Sequence, residues 1–252
     1  MWRQFAVAAV LVLVSSFAVA GDITVFCPGA VRSLVTELAQ SYRAATGNTV
    51  KLEYGTAGAL QKRAAAGDHA DVVIVTSGGI EELVKQGRIV AVSRKDVGKV
   101  GVGVATRAGA KIPDISTPEA FKQAMLNAKS VMYAYPALGG QSGIHTARVF
   151  EKLGIAEAMK VKTQLRPGAP EGLKEVAAGT IEIGIGQVSE IVAAQGVTLV
   201  GLLPAELQNT LTFSAGRTTN ASDAQAADAF IAQLVSPAAQ QKFAAAGFEA
   251  PR

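Results

Sequence analysis

Along the chain, short β-branched runs end in polar, glycine-bearing loops and give way to apolar residues at helical spacing. Ile23-Thr24-Val25-Phe26 stops at Cys27-Pro28-Gly29, after which Val31, Leu34, Val35 and Leu38 recur with the period of a helix. Val50 to Tyr54 forms a second strand, followed by Gly55-Thr56-Ala57-Gly58 and a helix from Leu60 to Ala66. Asp71-Val72-Val73-Ile74-Val75 is continuously apolar after its first residue, the pattern of a strand covered on both faces. It ends at Thr76-Ser77-Gly78-Gly79, and Ile80 to Gln86 reads as the third helix.

The second half is patterned the same way. Val100 to Ala105 is a glycine-interleaved strand, and Thr117-Pro118-Glu119 opens a helix to about Ala128, with Thr117 as N-cap and Pro118 in the first turn. Ser130 to Tyr135 predicts a strand, Pro136 to Gly143 a glycine-rich loop, and Ile144 to Leu153 a helix. Val161 to Leu165 and Ile181 to Ile185 are further strands, with Gly172 to Ala178 helical between them. Residues 196 to 213 are apolar and extended, interrupted at Pro204, and the tail from Ser222 to Phe248 is helical, broken at Pro237.

Strand, polar loop and helix repeating in this order predict α/β architecture with two doubly wound, three-layer lobes. The tail helices need a sheet to pack on, and the first lobe is their simplest home. Lobe I is therefore expected to be discontinuous, residues 21–102 plus 206–252, with lobe II at 103–205. Crossings near 101–105 and 205–213 make a two-crossover hinge. In such sheets ligands sit at the carboxyl ends of the strands, where loops 27–33, 55–59 and 76–79 fall.

Composition narrows the class. With 49% hydrophobic and only 17% charged residues, the 252-residue chain is not a disordered one, and its single cysteine excludes a disulfide-stapled scaffold. The net charge of +4 is spread without a basic tract, which argues against nucleic acid and suits a small anion. Arg3, the apolar core Phe5 to Val14 and the small residues Ala18-Val19-Ala20 read as a secretory signal, residues 1–20, cleaved after Ala20. A periplasmic location follows. A membrane anchor, the competing reading, asks for a longer apolar stretch and a stop-transfer flank. Cys27 reads as a buried structural thiol, since no activating partner is near it in sequence.

The run Ile23-Thr24-Val25-Phe26 with its loop and helix, the segment Gly67-Asp68-His69-Ala70-Asp71-Val72-Val73-Ile74, and Gly179-Thr180-Ile181-Glu182-Ile183-Gly184-Ile185 resemble the molybdate-type periplasmic solute-binding proteins. The resemblance extends over nearly all of residues 22 to 250. It implies the type II periplasmic-binding-protein fold, closure on a ligand, and service to an ABC importer. Ala30 stands where such proteins typically carry an oxyanion-holding serine, the second loop keeps only Thr56 as a hydroxyl, and Gln187 occupies a place where they often carry tyrosine. These departures favour an organic carboxylate over molybdate.

Free backbone amides and positive dipole ends at helix N-termini bind anions without any particular side chain. Gly29, Gly55, Gly58, Gly139, Gly140 and Gly143 are read as points of close approach to ligand, each with a turn requirement as the plainer alternative. Arg32 offers a fork of donors suited to a carboxylate, with an ordinary solvated arginine as the alternative. Ala30, Thr56, Ala57 and Ser77 complete the first-lobe candidates. Tyr135, Gln141, Ser142 and Gln187 are those of the second, Ser142 competing as a helix N-cap.

His69 reads as structural or solvated, and His69 and His145 are too separated for a metal site. His145 follows the glycine-rich loop, where a neutral imidazole is able to take a proton from carbon beside a carboxylate. That is the chemistry of the cofactor-independent periplasmic aconitate isomerases, which also resemble molybdate-type binders, and it makes an isomerase the alternative function. Helix-surface or interlobe packing is the plainer role for His145. The expected partners are a small anionic ligand and an ABC permease in the inner membrane. No cofactor, metal or nucleic acid is expected, and the chain is expected to act as a monomer.

Overall fold

A computed structural model describes residues 21–250, so the signal-peptide reading of residues 1–20 lies outside the described residues. β1 (Ile23–Pro28) pairs in parallel with β2 (Val50–Gly55) on one side and β3 (Val72–Thr76) on the other. β3 then meets β9 (Thr210–Arg217) in antiparallel register. β9 in turn pairs with the first part of β4 (Lys95–Arg107), from Lys95 opposite Ala215 to Gly101 opposite Thr210.

One residue later β4 changes partners. From Val102, which lies opposite Gln187, it pairs with β7 (Ile183–Gln187) and with β8 (Val197–Leu202). Beyond β7 come β5 (Val131–Ala134) and β6 (Thr163–Arg166), both parallel. The path is β2-β1-β3-β9-β4-β7-β5-β6, with β8 beside β4. The chain passes between the two groups of strands along β4 and again through residues 203–209, which contain the short 3-10 turn Ala205–Leu207.

Helices cover both faces of each half. Against the first pack α1 (Arg32–Thr46), α9 (Ala224–Leu234) and α10 (Pro237–Ala245), whose Val35, Phe230 and Phe243 share a core with Val25 and Ile74. α2 (Ala57–Ala66) and α3 (Ser77–Lys85) take the opposite face with Leu60, Ile80 and Leu83 around Phe26 and Val73. In the second half α4 (Pro118–Asn127), α5 (Gln141–Lys152) and α6 (Ala156–Lys160) bury Phe121, Met125, Phe150 and Met159 on Val102, Val104 and Ile185. α7 (Ala169–Ala178) and α8 (Val188–Ala193) cover its other face through Leu173 and Ile191. Side-chain caps start several helices. Thr56 accepts from the Ala59 amide at 3.2 Å, Thr117 from Ala120 at 3.1 Å, and Ser236 from Ala239 at 3.2 Å.

Several elements differ from the sequence expectation. β4 begins at Lys95 rather than Val100: polar Lys95, Asp96 and Lys99 surround buried Val97, and a register shift between Asp96 and Gly98 breaks the strand alternation. α5 begins at Gln141, so Ser142 and Gly143 lie in its first turn rather than in a loop. α7 starts three residues earlier than expected, with Pro170 tolerated in its first turn. The tail does break where expected: α9 ends at Leu234 and Pro237 begins α10 behind the Ser236 cap. α6 and α8 are too short for periodicity to announce them. No described helix is long and apolar enough to cross a membrane.

Candidate functional site

The carboxyl ends of β1, β2, β5, β6 and β7 converge on one cavity of about 240 Å³. Three helices of ordinary length point their first turns at it, since Ala57 of α2, Gln141 and Ser142 of α5, and Ala169 to Glu171 of α7 all line the wall. α5 and α7 carry no side-chain cap: glycines, Gly140 and Gly168, stand in their N-cap positions. Their leading N–H groups therefore have no intrahelical acceptor and no capping side chain. The positive ends of these helix dipoles are directed at a shared space.

Side chains add specific chemistry to that field. Arg32 lies with its guanidinium carbon 4.0 Å from the centre of the Tyr54 ring and its Nη1 3.9 Å from Glu171 Oε1. Both partners orient a cation beside the cavity without removing its donors. Gln187, only 3% exposed, lines the same wall, and neither its amide nitrogen nor its amide oxygen has a hydrogen-bond partner. A buried amide with both ends unpaired is costly unless something outside the chain pairs it.

Glu190, in the first turn of α8, completes this side. Its Oε2 accepts the Gln187 N–H at 3.1 Å, while Oε1 faces Gly29, where an added Cβ would strike it. Burial pushes the Glu190 carboxyl up to about 7; the Gln187 N–H opposes that shift and the Glu171 charge adds to it. α8 is fixed to the first lobe by Ser189, whose hydroxyl donates to the Ala30 carbonyl at 2.6 Å. Val188 beside it packs into the first-lobe core.

Of the residues read from sequence, Gly29, Ala30, Arg32, Thr56, Ala57, Gln141, Ser142 and Gln187 line this cavity together. Gly58, Ser77, Tyr135, Gly143 and His145 are not among its lining residues. Gly58 instead donates its N–H to the Gly139 carbonyl at 3.2 Å, and Thr56 Oγ1 donates to the Leu138 carbonyl, two contacts between first-lobe and second-lobe loops. Ser77 accepts from Arg94 at 2.6 Å, and the Tyr135 side chain stands exposed. A Cβ on Gly143 would strike the Ala134 carbonyl, so this glycine serves the close packing of α5 on β5. Ser142 is buried at the second helical position, and the N-cap is Gly140. His145 meets the Leu207 carbonyl with Nε2 at 2.6 Å, which joins α5 to the 205–207 turn.

Tyr54, the stretch Pro167 to Glu171, Glu190 and Phe213 line the cavity without having been anticipated. Pro167-Gly168-Ala169-Pro170 follows a strand and is the one sequence signal that was available. Cys27 is buried and desolvation pushes its thiol up, so no thiolate forms there at neutral pH. Among the described residues no cluster of His, Cys, Asp or Glu is arranged to hold a metal.

The sequence family described as bacterial extracellular solute-binding protein matches residues 23–249. An aconitate isomerase from a Pseudomonas species is 32% identical over 222 residues, covering 85% of this chain and 82% of the relative. The periplasmic molybdate-binding protein of Azotobacter vinelandii superposes with a TM-score of 0.78 at 18% identity, over 91% of this chain and 100% of that one. A sulfate-binding protein from Mycobacterium tuberculosis gives 0.70 at 19% identity, over 90% and 86%. The fold is thus the type II periplasmic-binding fold expected from the sequence.

Proposed function

The chain belongs to the bacterial extracellular solute-binding proteins, and from that premise we propose that it encloses a small organic carboxylate between its lobes in the periplasm. The observation that carries this reading is the convergence of the α2, α5 and α7 N-termini on a cavity that also holds Arg32 and the unpaired Gln187 amide. A volume of about 240 Å³ lies below that of drug-sized pockets and suits a metabolite of a few carbon atoms. Two acidic side chains, Glu171 and Glu190, share the wall with a single arginine, a poor setting for a compact multiply charged oxyanion. Donors spread over Arg32, Gln187 and the helix N-termini instead match the separated carboxylates of an organic acid, and Ala30, Ala57 and Phe213 its carbon skeleton. The lobes would be residues 21–102 plus 206–252 and residues 103–205, moving about the two crossings. Delivery would be to an ABC permease, with residues 1–20 removed on export and the mature chain acting as a monomer. Calorimetric titration with molybdate, sulfate, citrate and trans-aconitate tests the ligand class. Tight molybdate binding with no response to the organic acids would overturn it.

A second reading, a cofactor-independent isomerase of a tricarboxylic acid, is favoured by one observation, the 32% identical aconitate isomerase matched over most of both chains. In trans-aconitate a proton leaves the methylene carbon, its electron pair forms the new double bond, and the former vinylic carbon takes up a proton. The step balances without any oxidant or cofactor. Incubation with trans-aconitate and chromatographic detection of cis-aconitate separates the readings: conversion supports the enzyme, and binding with unchanged substrate supports the receptor.

A further inference from the structure

Glu190 is the ionisable cavity residue whose carboxyl is anchored at one oxygen, by the Gln187 N–H at 3.1 Å, with the other directed to the Gly29 side of the cavity. Beside it lies the Gln187 amide, buried and unpaired at both ends. The charged groups facing Glu190 across the two cavities it lines are Arg32 from α1 and Glu171 and Lys174 from α7. Strands β4, β7 and β8 and the turn at 29–31 bring no charged side chain to either cavity.

We propose that Glu190 meets the ligand as a neutral carboxylic acid, donating its O–H to a ligand carboxylate, so that each anion is captured together with one proton. This rests on the carboxylate reading above and adds a role for one residue within it. An ionised Glu190 beside Glu171 would repel an incoming carboxylate, whereas the protonated acid supplies the donor that the missing serine at Ala30 does not. The unpaired Gln187 N–H₂ supplies a second donor on the same wall. A carboxyl pushed up to about 7 by burial is poised for this, because a second anion nearby raises it further and draws a proton in at neutral pH.

The test is calorimetric titration of trans-aconitate and citrate from pH 6 to pH 9 in buffers of different ionisation enthalpy, on the wild-type protein and on Glu190→Gln. Proton uptake is expected to approach one per ligand above neutral pH. Affinity should fall about tenfold per pH unit there, the slope of a single linked proton. Glu190→Gln, which keeps an N–H donor at the same place, should bind with little pH dependence and no such uptake. The wild-type proton count needs no variant, so a poorly folded substitution does not blunt the test. Binding with no proton uptake overturns the proposal while leaving the carboxylate reading intact. If Glu190→Gln also loses turnover of trans-aconitate in that case, Glu190 takes the role of base instead. Failure of every organic acid to bind overturns the carboxylate reading, and this proposal with it.

Discussion

Gly58, in the first turn of α2, and Gly139, in the loop before α5, approach so closely that a Cβ on either would lie 2.8 Å or 2.7 Å from the other's Cα. Only the absence of a side chain at both positions allows the Gly58 N–H to reach the Gly139 carbonyl at 3.2 Å. Gly58 lies within α2, where alanine is the better helix former, whereas Gly139 has φ of 75° and is less tolerant. Gly58→Ala is therefore expected to leave the unfolding midpoint unchanged or slightly raised while obstructing closure. An overpacking penalty of about 1–3 kcal/mol corresponds to an affinity loss of roughly fivefold to 150-fold. Calorimetry with trans-aconitate checks this, and unchanged affinity would show that the loops need not meet.

Asp71 joins three segments of the first lobe. It is 1% exposed, and its two oxygens accept the Thr24 N–H at 2.7 Å and the Ser222 N–H at 2.5 Å. His69 Nε2 stands 3.7 Å from Oδ2, which gives that histidine a structural neighbour rather than a metal. Asp71→Ala would leave both amides without acceptors, at about 1–3 kcal/mol each. The urea midpoint should fall accordingly, and Asp71→Asn, which keeps one acceptor, should fall less. Equal stability of all three proteins would show that these bonds contribute nothing net.

The raised Glu190 carboxyl also predicts how stability depends on pH. Its value moves from 4.5 to about 7 on folding, so between those limits the folded chain holds a proton that the unfolded chain has released. The Glu190 contribution to stability is thus fully present below about pH 4.5 and declines as pH rises through 7. Glu190→Gln has no carboxylate to desolvate. It should melt above the wild type at pH 8, with the gap closing by pH 5. A gap independent of pH would mean that the carboxyl titrates normally in the folded chain.

How far these features could be read from sequence depended on whether a residue's role is set locally. β3 was legible because Val72 to Val75 are all buried, and both faces of that strand leave the same continuous apolar signature. The first part of β4 was not, since polar Lys95, Asp96 and Lys99 mask its inward Val97 and Val100. Gly29, Thr56, Gln141 and Gln187 could be grouped on one cavity because strand ends in a doubly wound sheet share one side. Glu190 could not, because its character comes from packing against Gly29 and Glu171, which are remote in sequence. Gly143 was read as a ligand contact, yet its lack of a Cβ is required by the Ala134 carbonyl beneath it. Position in a helical first turn does not say which way a side chain points.

That last point gives His145 its own test. A histidine behind a glycine-rich loop has the chemistry of a general base, but a base must come within hydrogen-bond reach of the proton it removes. Here Nε2 is held 2.6 Å from the Leu207 carbonyl, on the side of α5 that meets the 205–207 turn, and His145 is absent from the cavity lining. A ring nitrogen hydrogen-bonded to a carbonyl carries the proton, so at this nitrogen the imidazole donates rather than accepts. His145→Ala should therefore cost about 1 kcal/mol of stability through the lost hydrogen bond, seen as a lower urea midpoint. Ligand affinity should stay within about twofold, and any trans-aconitate turnover should persist, whereas loss of a true general base reduces rate by about 10²–10⁴-fold. A loss of that size in a variant that still folds and binds would mean that α5 turns His145 toward the substrate, and the packing role assigned to it would be wrong.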